Sequence, residues 1–318
     1  MQGLYQSIYA DTGEGKNLQR ANMTEVKSPE ETDKLVQQMR DWYDSQPHLP
    51  KDIDDKFLLR FLHSCYYDVE AATVAMDLFF SIRLSAIDLF SNRDPLSLAM
   101  QKTFKITNLA QLRISGNRKL WIWQLNDPGL DNYDYAQDAK LFLLSTDAWL
   151  LENDDFLEES DIVLMDVKDI SLKFLTKFNM SIAKKMTRYQ QEGMPIRLKE
   201  IHIVNAPSYI DKIFNLLKPV LKPEITQMVH FHTPKSETLY QYLSRAELPA
   251  ELGGARGALR GHAAHVADMV ARHRSDMRIN HLRTRTYLIR TTYKLKLLTN
   301  TFSVNNTFLL GFARTRCN

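Results

Sequence analysis

The chain has 318 residues, of which 44% are hydrophobic and 25% are charged, and this is the composition of a globular protein. No run of 18 apolar residues and no secretory signal pattern occurs, so we expect neither a membrane-spanning nor a secreted protein. Its two cysteines, Cys65 and Cys317, are too few for a disulfide framework, which favours the cytosol.

The formal net charge of +3 is unevenly distributed. Residues 251–318 hold 12 Lys and Arg against 3 Asp and Glu, which leaves the first 250 residues net acidic. A basic segment of this kind contacts nucleic acid or an anionic membrane in some proteins. The plainer interpretation is a solvated tail, and we expect no nucleic-acid partner.

A polar, unpatterned stretch over residues 1–27 predicts a flexible leader. A helix is predicted to begin after Ser28, because Pro29 follows this capping serine and Glu31 lies three residues after it. Apolar residues then recur at helical spacing up to Ile87. The sequence therefore predicts a helical bundle over residues 28–95.

Short β-rich runs alternate with longer helical patterns after Pro95. Strands are predicted at 104–109, 119–125, 161–167, 200–205 and 228–232. Helices are predicted near 133–152, 171–191 and 207–218. This alternation predicts an α/β fold with a mostly parallel sheet. Residues 255–318 are predicted to form a basic tail, helical over 259–274 and poorly ordered after about residue 280.

Residues that carry chemistry do not form a catalytic pattern. The segment 12–17 departs from a phosphate-binding loop, because Ala10 stands where the first glycine is needed and Asn17 follows Lys16. Neither a dinucleotide-binding glycine motif nor a nucleophile elbow is present. Asp161 and Asp169 flank a predicted strand and are interpreted as capping or turn residues. We therefore expect no enzyme, no catalytic residue and no cofactor.

Three histidines, His202, His230 and His232, lie on predicted strands and would have to converge to bind a metal. No cysteine or carboxylate is evident beside them, so we interpret them as structural residues and predict no metal site.

The segment 207–218 predicts a short amphipathic helix, which Pro219 and Pro223 follow. Such a helix is either a rigid lid or an ordinary helix that covers the sheet. Its broad apolar face consists of Tyr209, Ile210, Ile213, Phe214 and Leu217.

Several separated motifs resemble the CRAL-TRIO family over about residues 28–275. They are Gln46–Pro50, Asp54–Leu62, Asp68–Ala72, Arg197–Pro207, Leu217–Pro219 and Leu248–Gly254. The resemblance implies a helical N-terminal domain over 28–95 and an α/β lipid-binding domain over 96–254. It further implies that the sheet lines an apolar cavity, which a mobile gate helix at 207–217 closes.

The resemblance also implies which side chains contact the ligand. Matching the family's pocket positions gives Ser145, Trp149, Met165, Phe178, Met186, Tyr189, Met194 and Ile201 as lining residues, with the apolar face of the gate helix above them. Ser145 or Tyr189 would orient a polar end of an otherwise apolar ligand.

Members of the family carry basic side chains that contact phosphoinositide headgroups. Arg197 retains one of them, whereas Glu224 and Met228 stand at two other positions. This departure leaves open whether phosphoinositide drives ligand release.

The sequence therefore predicts a monomeric cytoplasmic carrier that transfers a small hydrophobic ligand between membranes and contacts the membrane surface transiently. Retinoids, tocopherols, carotenoids and phospholipids are all candidate ligands. The alternative is a phosphoinositide-sensing adaptor that transports no ligand.

Overall fold

The computed structural model describes residues 27–152 and 156–276. The leader predicted before residue 27 and the tail predicted beyond residue 276 lie outside the described residues.

Five helices form the first part of the described chain. They are Pro29–Ser45 (α1), Asp55–Ser64 (α2), Val69–Ser85 (α3), Ile87–Phe90 (α4) and Leu98–Ile106 (α5). The predicted start of α1 is confirmed, because Ser28 Oγ accepts from the Glu31 amide at 3.2 Å while the Glu31 carboxylate accepts from the Ser28 amide at 3.0 Å. Two of the orphan amides of this helix end are thus satisfied.

The second part of the described chain alternates strands and helices around one sheet. The strands are Thr107–Ile114 (β1), Arg118–Leu125 (β2), Ser160–Asp166 (β3), Leu198–Val204 (β4) and Val229–Phe231 (β5). They pair in the order β1-β2-β3-β4-β5, antiparallel between β1 and β2 and parallel elsewhere. The predicted α/β fold with a mostly parallel sheet is therefore confirmed.

Helices make the connections between the parallel strands. They are Tyr135–Glu152 (α6), Phe174–Lys177 (α7), Met180–Glu192 (α8), Ile210–Leu217 (α9) and Pro223–Gln227 (α10). After β5 the chain forms three short 3-10 helices within residues 238–252 and then helix Leu259–Arg272 (α11).

Several predicted boundaries are wrong, notably at α5 and at α8. Residues 104–106 continue helix α5, whose start is fixed by Ser97 Oγ accepting from the Met100 amide at 3.3 Å, and β1 begins only at Thr107. The predicted helix over 171–191 is interrupted, because Asn179 Oδ1 accepts from the Ile182 amide at 3.1 Å and starts α8 as a separate helix. At α8 the capping side chain thus prevails over the weaker preference of the local sequence.

The two faces of the sheet are covered differently. On the packed face, Leu120 and Leu164 are fully buried beneath Leu239, Leu243 and Leu248. The opposite face, which carries Trp121, Trp123, Val163, Met165, Ile201 and Ile203, lies under α6, α7 and α9. This second face positions the candidate site.

A glycine pair holds the segment on the packed face in place. A Cβ on Gly254 would lie 1.9 Å from the Leu248 carbonyl oxygen, and Gly253 has a φ of +71°. Only glycine tolerates both the close approach and the left-handed backbone. The Leu248–Gly254 motif is thus explained by backbone packing.

Candidate functional site

Side chains at the centre of the opposite face are more exposed to solvent than expected for central strands of a covered sheet. Val163, Met165 and Ile201 occupy central strands, yet each is only partly buried. On the packed face, the neighbouring Ile162, Leu164 and His202 are at most 1% exposed, as in close-packed interiors. The layer above the opposite face is therefore incompletely filled.

The same space is bordered by aromatic side chains that bridge neighbouring apolar clusters. Two apolar clusters lie on this face, one around α6 and one around α9, and Trp123 packs against both. Phe142 packs against the α6 cluster and against the cluster of the N-terminal helices. Tyr135 packs against the cluster of the N-terminal helices and against the α9 cluster. All three remain partly exposed. Tyr135 packs edge-to-face on Phe178, with the ring centres 5.1 Å apart. Partial exposure where three clusters meet indicates incomplete packing between the sheet and its helices, and we call this region the hollow.

Helix α9 lies on the β4–β5 side of this hollow. Ile210 and Ile213 are buried in the apolar cluster that also contains Ile203. Phe214 packs edge-to-face on Phe231 of β5, with the ring centres 5.3 Å apart, and Tyr209 donates a hydrogen bond to the Ile170 carbonyl at 3.0 Å. The predicted amphipathic helix is confirmed as a helix, and its role as a gate stays a prediction.

The chain just after α9 is fixed to α8 by one side chain. Gln191 Nε2 donates to the Val220 carbonyl at 3.1 Å, and Gln191 Oε1 accepts from the Lys222 amide at 2.7 Å. Gln191 thus fixes one end of the α9 segment.

The predicted lining residues fall into three separate places. Met165, Phe178 and Ile201 lie in one apolar cluster with Tyr209 and Ile213 of the predicted gate. This position is consistent with their predicted role as lining residues below that helix. Their contact with a ligand stays a prediction.

Trp149 lies elsewhere on the opposite face. Its ring packs edge-to-face on Trp121 at 5.3 Å, and the Lys119 ammonium and the Arg60 guanidinium lie 4.0 Å and 4.6 Å from its ring centre. Its indole Nε1–H is buried, and among the described residues it has no hydrogen-bond partner.

The remaining predicted lining residues are occupied by protein contacts. Met186 and Met194 pack with the N-terminal helices, as does Tyr189, whose fully buried hydroxyl accepts from Arg83 Nη1 at 3.0 Å. Burial raises the pKa of Tyr189 to about 12. Ser145 is fully buried and donates to the Phe142 carbonyl at 2.7 Å. Both predicted orienting hydroxyls therefore already have partners inside the protein.

A polar group beside the hollow was missed by sequence reasoning. Asp138, in the first turn of α6, accepts hydrogen bonds from Trp123 Nε1 at 3.1 Å, Tyr133 OH at 3.1 Å and Thr107 Oγ1 at 3.2 Å. Burial raises its pKa to about 6, although these three bonds oppose the shift. The only available signal was a single carboxylate at the start of a mainly apolar helix.

Arg197, the predicted headgroup contact, is buried at the base of β4. Its Nε donates to the His63 carbonyl at 2.7 Å, and its Nη1 contacts Glu159 Oε2 at 3.1 Å. Burial, with the nearby Arg197 and Arg60 charges, lowers the pKa of His63 to about 3. An anionic headgroup at Arg197 would have to replace Glu159, and this contact stays a prediction.

The three strand histidines lie together on the packed side of the β4–β5 edge. His202 Nδ1 is 3.1 Å from His232 Nε2, and His202 Nε2 is 3.0 Å from Glu200 Oε2, a carboxylate that sequence reasoning did not notice. His232 Nδ1 is 2.7 Å from Thr238 Oγ1. The ring nitrogens of His202 and His232 thus have hydrogen-bond partners. Within residues 27–152 and 156–276, no group of three or more metal-ligating side chains has the geometry of a metal site.

Over the same ranges, no helix combines the length and the apolar character needed to cross a bilayer.

Comparison with known protein families yields two matched segments. Residues 116–254 match the CRAL/TRIO domain, and residues 28–100 match the Pinta-like UBA domain. The chain belongs to the CRAL-TRIO family.

Individual relatives agree with this assignment. The chain is 32% identical to the alpha-tocopherol transfer protein-like protein of Mus musculus over 231 residues, which are 70% of this chain and 65% of that protein. The human protein of the same name is 30% identical over 227 residues, 70% of this chain and 66% of the relative. The chain thus spans slightly less than two thirds of the length of these relatives.

More distant similarities extend over comparable lengths. Clavesin-1 of Rattus norvegicus is 25% identical over 240 residues, 74% of this chain and 68% of that protein. The crystal structure of Sfh5 aligns with 74% of this chain and 92% of its own, at 14% identity and a TM-score of 0.43.

Proposed function

We propose that this protein carries a small hydrophobic molecule in the hollow above the opposite face of the sheet and transfers it between membranes. The observation that carries the proposal is the partial exposure of Val163, Met165 and Ile201 in central strands beside α9. Membership of the CRAL-TRIO family and relatives named alpha-tocopherol transfer protein-like support it. The reaction is binding and release, with no bond made or broken.

Ligand binding in this hollow is driven by removal of apolar surface from water. Each 100 Å² of apolar ligand surface buried contributes about 2.5 kcal/mol. Met165 borders the space, and its flexible thioether allows the wall to adapt to ligand shape. In this proposal, Asp138 with its three donors fixes a polar end of the ligand, in place of the predicted Ser145 or Tyr189.

Release follows from movement of α9. Its contacts to the body are mainly apolar, so a bilayer offers Ile213, Phe214 and Leu217 an environment equivalent to the one they leave. Lys212 and Lys218 are exposed on and next to the helix, and a cationic side chain near an anionic membrane surface contributes about 1 kcal/mol to binding. Gln191 holds the chain after α9 on α8, so α9 opens around a fixed end.

We assign the residues from 28 to 95 a supporting role and those from 96 to 254 the binding role. The two parts share a core, in which Leu143 of α6 and Ile182 of α8 pack with Phe79 of α3. The N-terminal helices thus hold the outer side of the helices that cover the hollow. We place the protein as a monomer in the cytoplasm, in transient contact with membranes.

Native mass spectrometry of the purified full chain, followed by organic extraction, tests the proposal. We expect a bound hydrophobic molecule that leaves on extraction, and saturable rebinding when α-tocopherol, retinal and phosphatidylcholine are offered separately. A chain that carries nothing and binds none of these probes would contradict it. Vesicle binding that depends on phosphoinositide while the hollow stays empty would instead support the adaptor alternative.

A further inference from the structure

Three histidines lie against one another at the β4–β5 edge, on the packed side of the sheet. We call His202, His230 and His232 the histidine cluster. The ring centres of His230 and His232 each lie 5.3 Å from that of His202. His202 and His232 are at most 3% exposed, whereas His230 is partly exposed beside Tyr242, which is 38% exposed. Solvent therefore reaches the cluster at His230.

Hydrogen-bond counting fixes the positions of the ring protons near neutral pH. The Glu200 carboxylate only accepts, so His202 Nε2 donates to it over 3.0 Å and His202 Nδ1 is left as an acceptor. His232 Nε2 therefore donates to His202 Nδ1 over 3.1 Å, and His232 Nδ1 accepts from Thr238 Oγ1 over 2.7 Å. All three bonds run in one direction, towards Glu200.

This chain of hydrogen bonds accommodates one added proton but not two. With one proton, His202 donates through both nitrogens, and His232 keeps its bonds by donating to Thr238 instead of accepting from it. With a second proton on His232, two N–H groups face each other over 3.1 Å and two neighbouring rings are positively charged. Repulsion between them then favours separation of His232 from His202.

The surroundings supply little counter-charge for a second proton. Among the described residues, the titratable groups that face the cluster are the Glu200 carboxylate of β4 and the Tyr242 phenol of the segment after β5. Glu200 contacts His202 and leaves His232 without an acidic partner. The Tyr242 phenol carries no charge in acid. Two protons on the cluster are therefore compensated by one carboxylate.

The strand that carries His230 also carries a contact to α9. β5 is three residues long and pairs only with β4 at the edge of the sheet. Successive side chains of a strand point to opposite faces, so Phe231 lies on the other face from His230 and His232. There it packs edge-to-face on Phe214 of α9, with the ring centres 5.3 Å apart. Displacement of β5 thus removes a contact that holds α9.

We propose that the histidine cluster is an acid-sensitive device that keeps α9 closed near neutral pH and frees it when the cluster takes up protons. This inference rests on the proposed carrier function and adds to it a signal for ligand release. An anionic membrane surface attracts protons as it attracts other cations, so the pH next to it is lower than in solution. Release of the ligand is therefore favoured where the protein contacts such a membrane.

Linkage gives the size of the effect. Burial, with the neighbouring histidines, lowers the pKa of His232 to about 4 while the edge is closed. A ring that regains the ordinary value of about 6.5 on opening favours the open state roughly twentyfold more at pH 5 than at pH 7. Acid thus acts on opening through the proton that the closed cluster cannot accommodate.

Release of bound α-tocopherol from the full chain into excess neutral phosphatidylcholine vesicles, measured at pH 7 and pH 5, tests the proposal. We expect release to be about fivefold faster or more at pH 5. His232→Asn should reduce this acceleration to less than about twofold, whereas His265→Asn, at an exposed position on α11, should retain it. Equal release at both pH values, or full acceleration in His232→Asn, would overturn the proposal.

A conservative variant guards against simple misfolding of His232→Asn. Glu200→Gln keeps an acceptor for His202 Nε2 but removes the charge that favours the first proton. The pH at which release accelerates should therefore move to a lower value. An unchanged pH profile in this variant would show that the cluster does not set the response.

Hydrogen exchange of the ligand-free full chain separates this proposal from the carrier proposal. After correction for the intrinsic pH dependence of exchange, Ile210–Leu217 and residues 229–232 should exchange faster at pH 5 than at pH 7, and Val69–Ser85 should not. Unchanged exchange at Ile210–Leu217, or an equal increase in all three segments, would mean that the cluster does not control α9. Failure of α-tocopherol, retinal and phosphatidylcholine to bind would contradict the carrier proposal, and the exchange result would still decide this one.

Discussion

Arg83 of α3 and Asp147 of α6 form a bidentate ion pair inside the protein, with Nη1 2.6 Å from Oδ1 and Nη2 2.9 Å from Oδ2. Arg93 Nη2 adds a third contact to Asp147 Oδ2 at 2.8 Å. Burial alone would raise the pKa of Asp147, but the two guanidinium groups keep it below its usual value. These buried charges therefore hold the N-terminal helices against α6, a helix that covers the hollow, because separating them would cost free energy.

Replacing Asp147 with Asn should therefore be strongly destabilising. Two buried guanidinium groups would lose their counter-charge, and breaking a buried pair by removing one partner costs about 3–5 kcal/mol. Urea unfolding of the two proteins at pH 7 measures the difference. Asp88→Asn is a matched control, because Asp88 forms an exposed ion pair with Lys185 at 2.6 Å and should cost about 1 kcal/mol or less. Equal effects of both substitutions would mean that the buried pair adds nothing to the connection.

The histidine cluster should make the protein less stable in mild acid. Burial, with the neighbouring His202 and His230, lowers the pKa of His232 to about 4, and burial likewise lowers the pKa of His202. The unfolded chain then binds more protons than the folded one between about pH 6.5 and pH 4, so stability is full above that window and decreases as the pH falls through it. The free energy of unfolding should be measured by urea titration at pH 7, 6, 5 and 4.

A substitution identifies the origin of this dependence. His232→Asn removes the titrating ring and should reduce the loss of stability between pH 7 and pH 4. His265→Asn, at an exposed position on α11, should retain the full dependence. An unchanged profile in the first variant would assign the acid sensitivity to other groups.

Much of the fold could be predicted because its signals are local. The capping residues around Ser28, the alternation of strands and helices, and the amphipathic pattern of α9 each lie within a few residues of sequence. They depend on backbone hydrogen bonding and side-chain periodicity, which a single segment displays.

The site was less predictable because its decisive contacts join distant segments. Asp138 receives its donors from β1, β2 and the loop before α6, and Tyr189 turns its hydroxyl to Arg83 of α3. Whether a polar side chain faces the hollow or the N-terminal helices depends on the packing of several helices. The family resemblance placed Tyr189 and Ser145 in the pocket region but could not show that both hydroxyls are already bonded.

Replacing Gln191 with Ala should free the chain that follows α9. The change removes the bonds to the Val220 carbonyl and the Lys222 amide, each worth about 1 kcal/mol. Faster hydrogen exchange at residues 218–222 and faster release of bound hydrophobic ligand are the expected results. The neighbouring variant Gln190→Ala is the control. Faster exchange without faster release would show that the end of α9 does not limit opening.

The role of α9 at the membrane is tested by Phe214→Asp. In the proposed open state Phe214 leaves Phe231 and enters the bilayer, and transfer of a large apolar side chain into an apolar environment contributes about 1.5–3 kcal/mol. A carboxylate forfeits this contribution, so transfer between donor and acceptor vesicles should slow by roughly tenfold or more. Leu98→Asp introduces the same charge at a leucine that is 84% exposed on α5 and should transfer ligand at the normal rate. Similar rates for the two variants would mean that α9 covers the sheet without acting as a gate, since only the proposed opening brings Phe214 into contact with lipid.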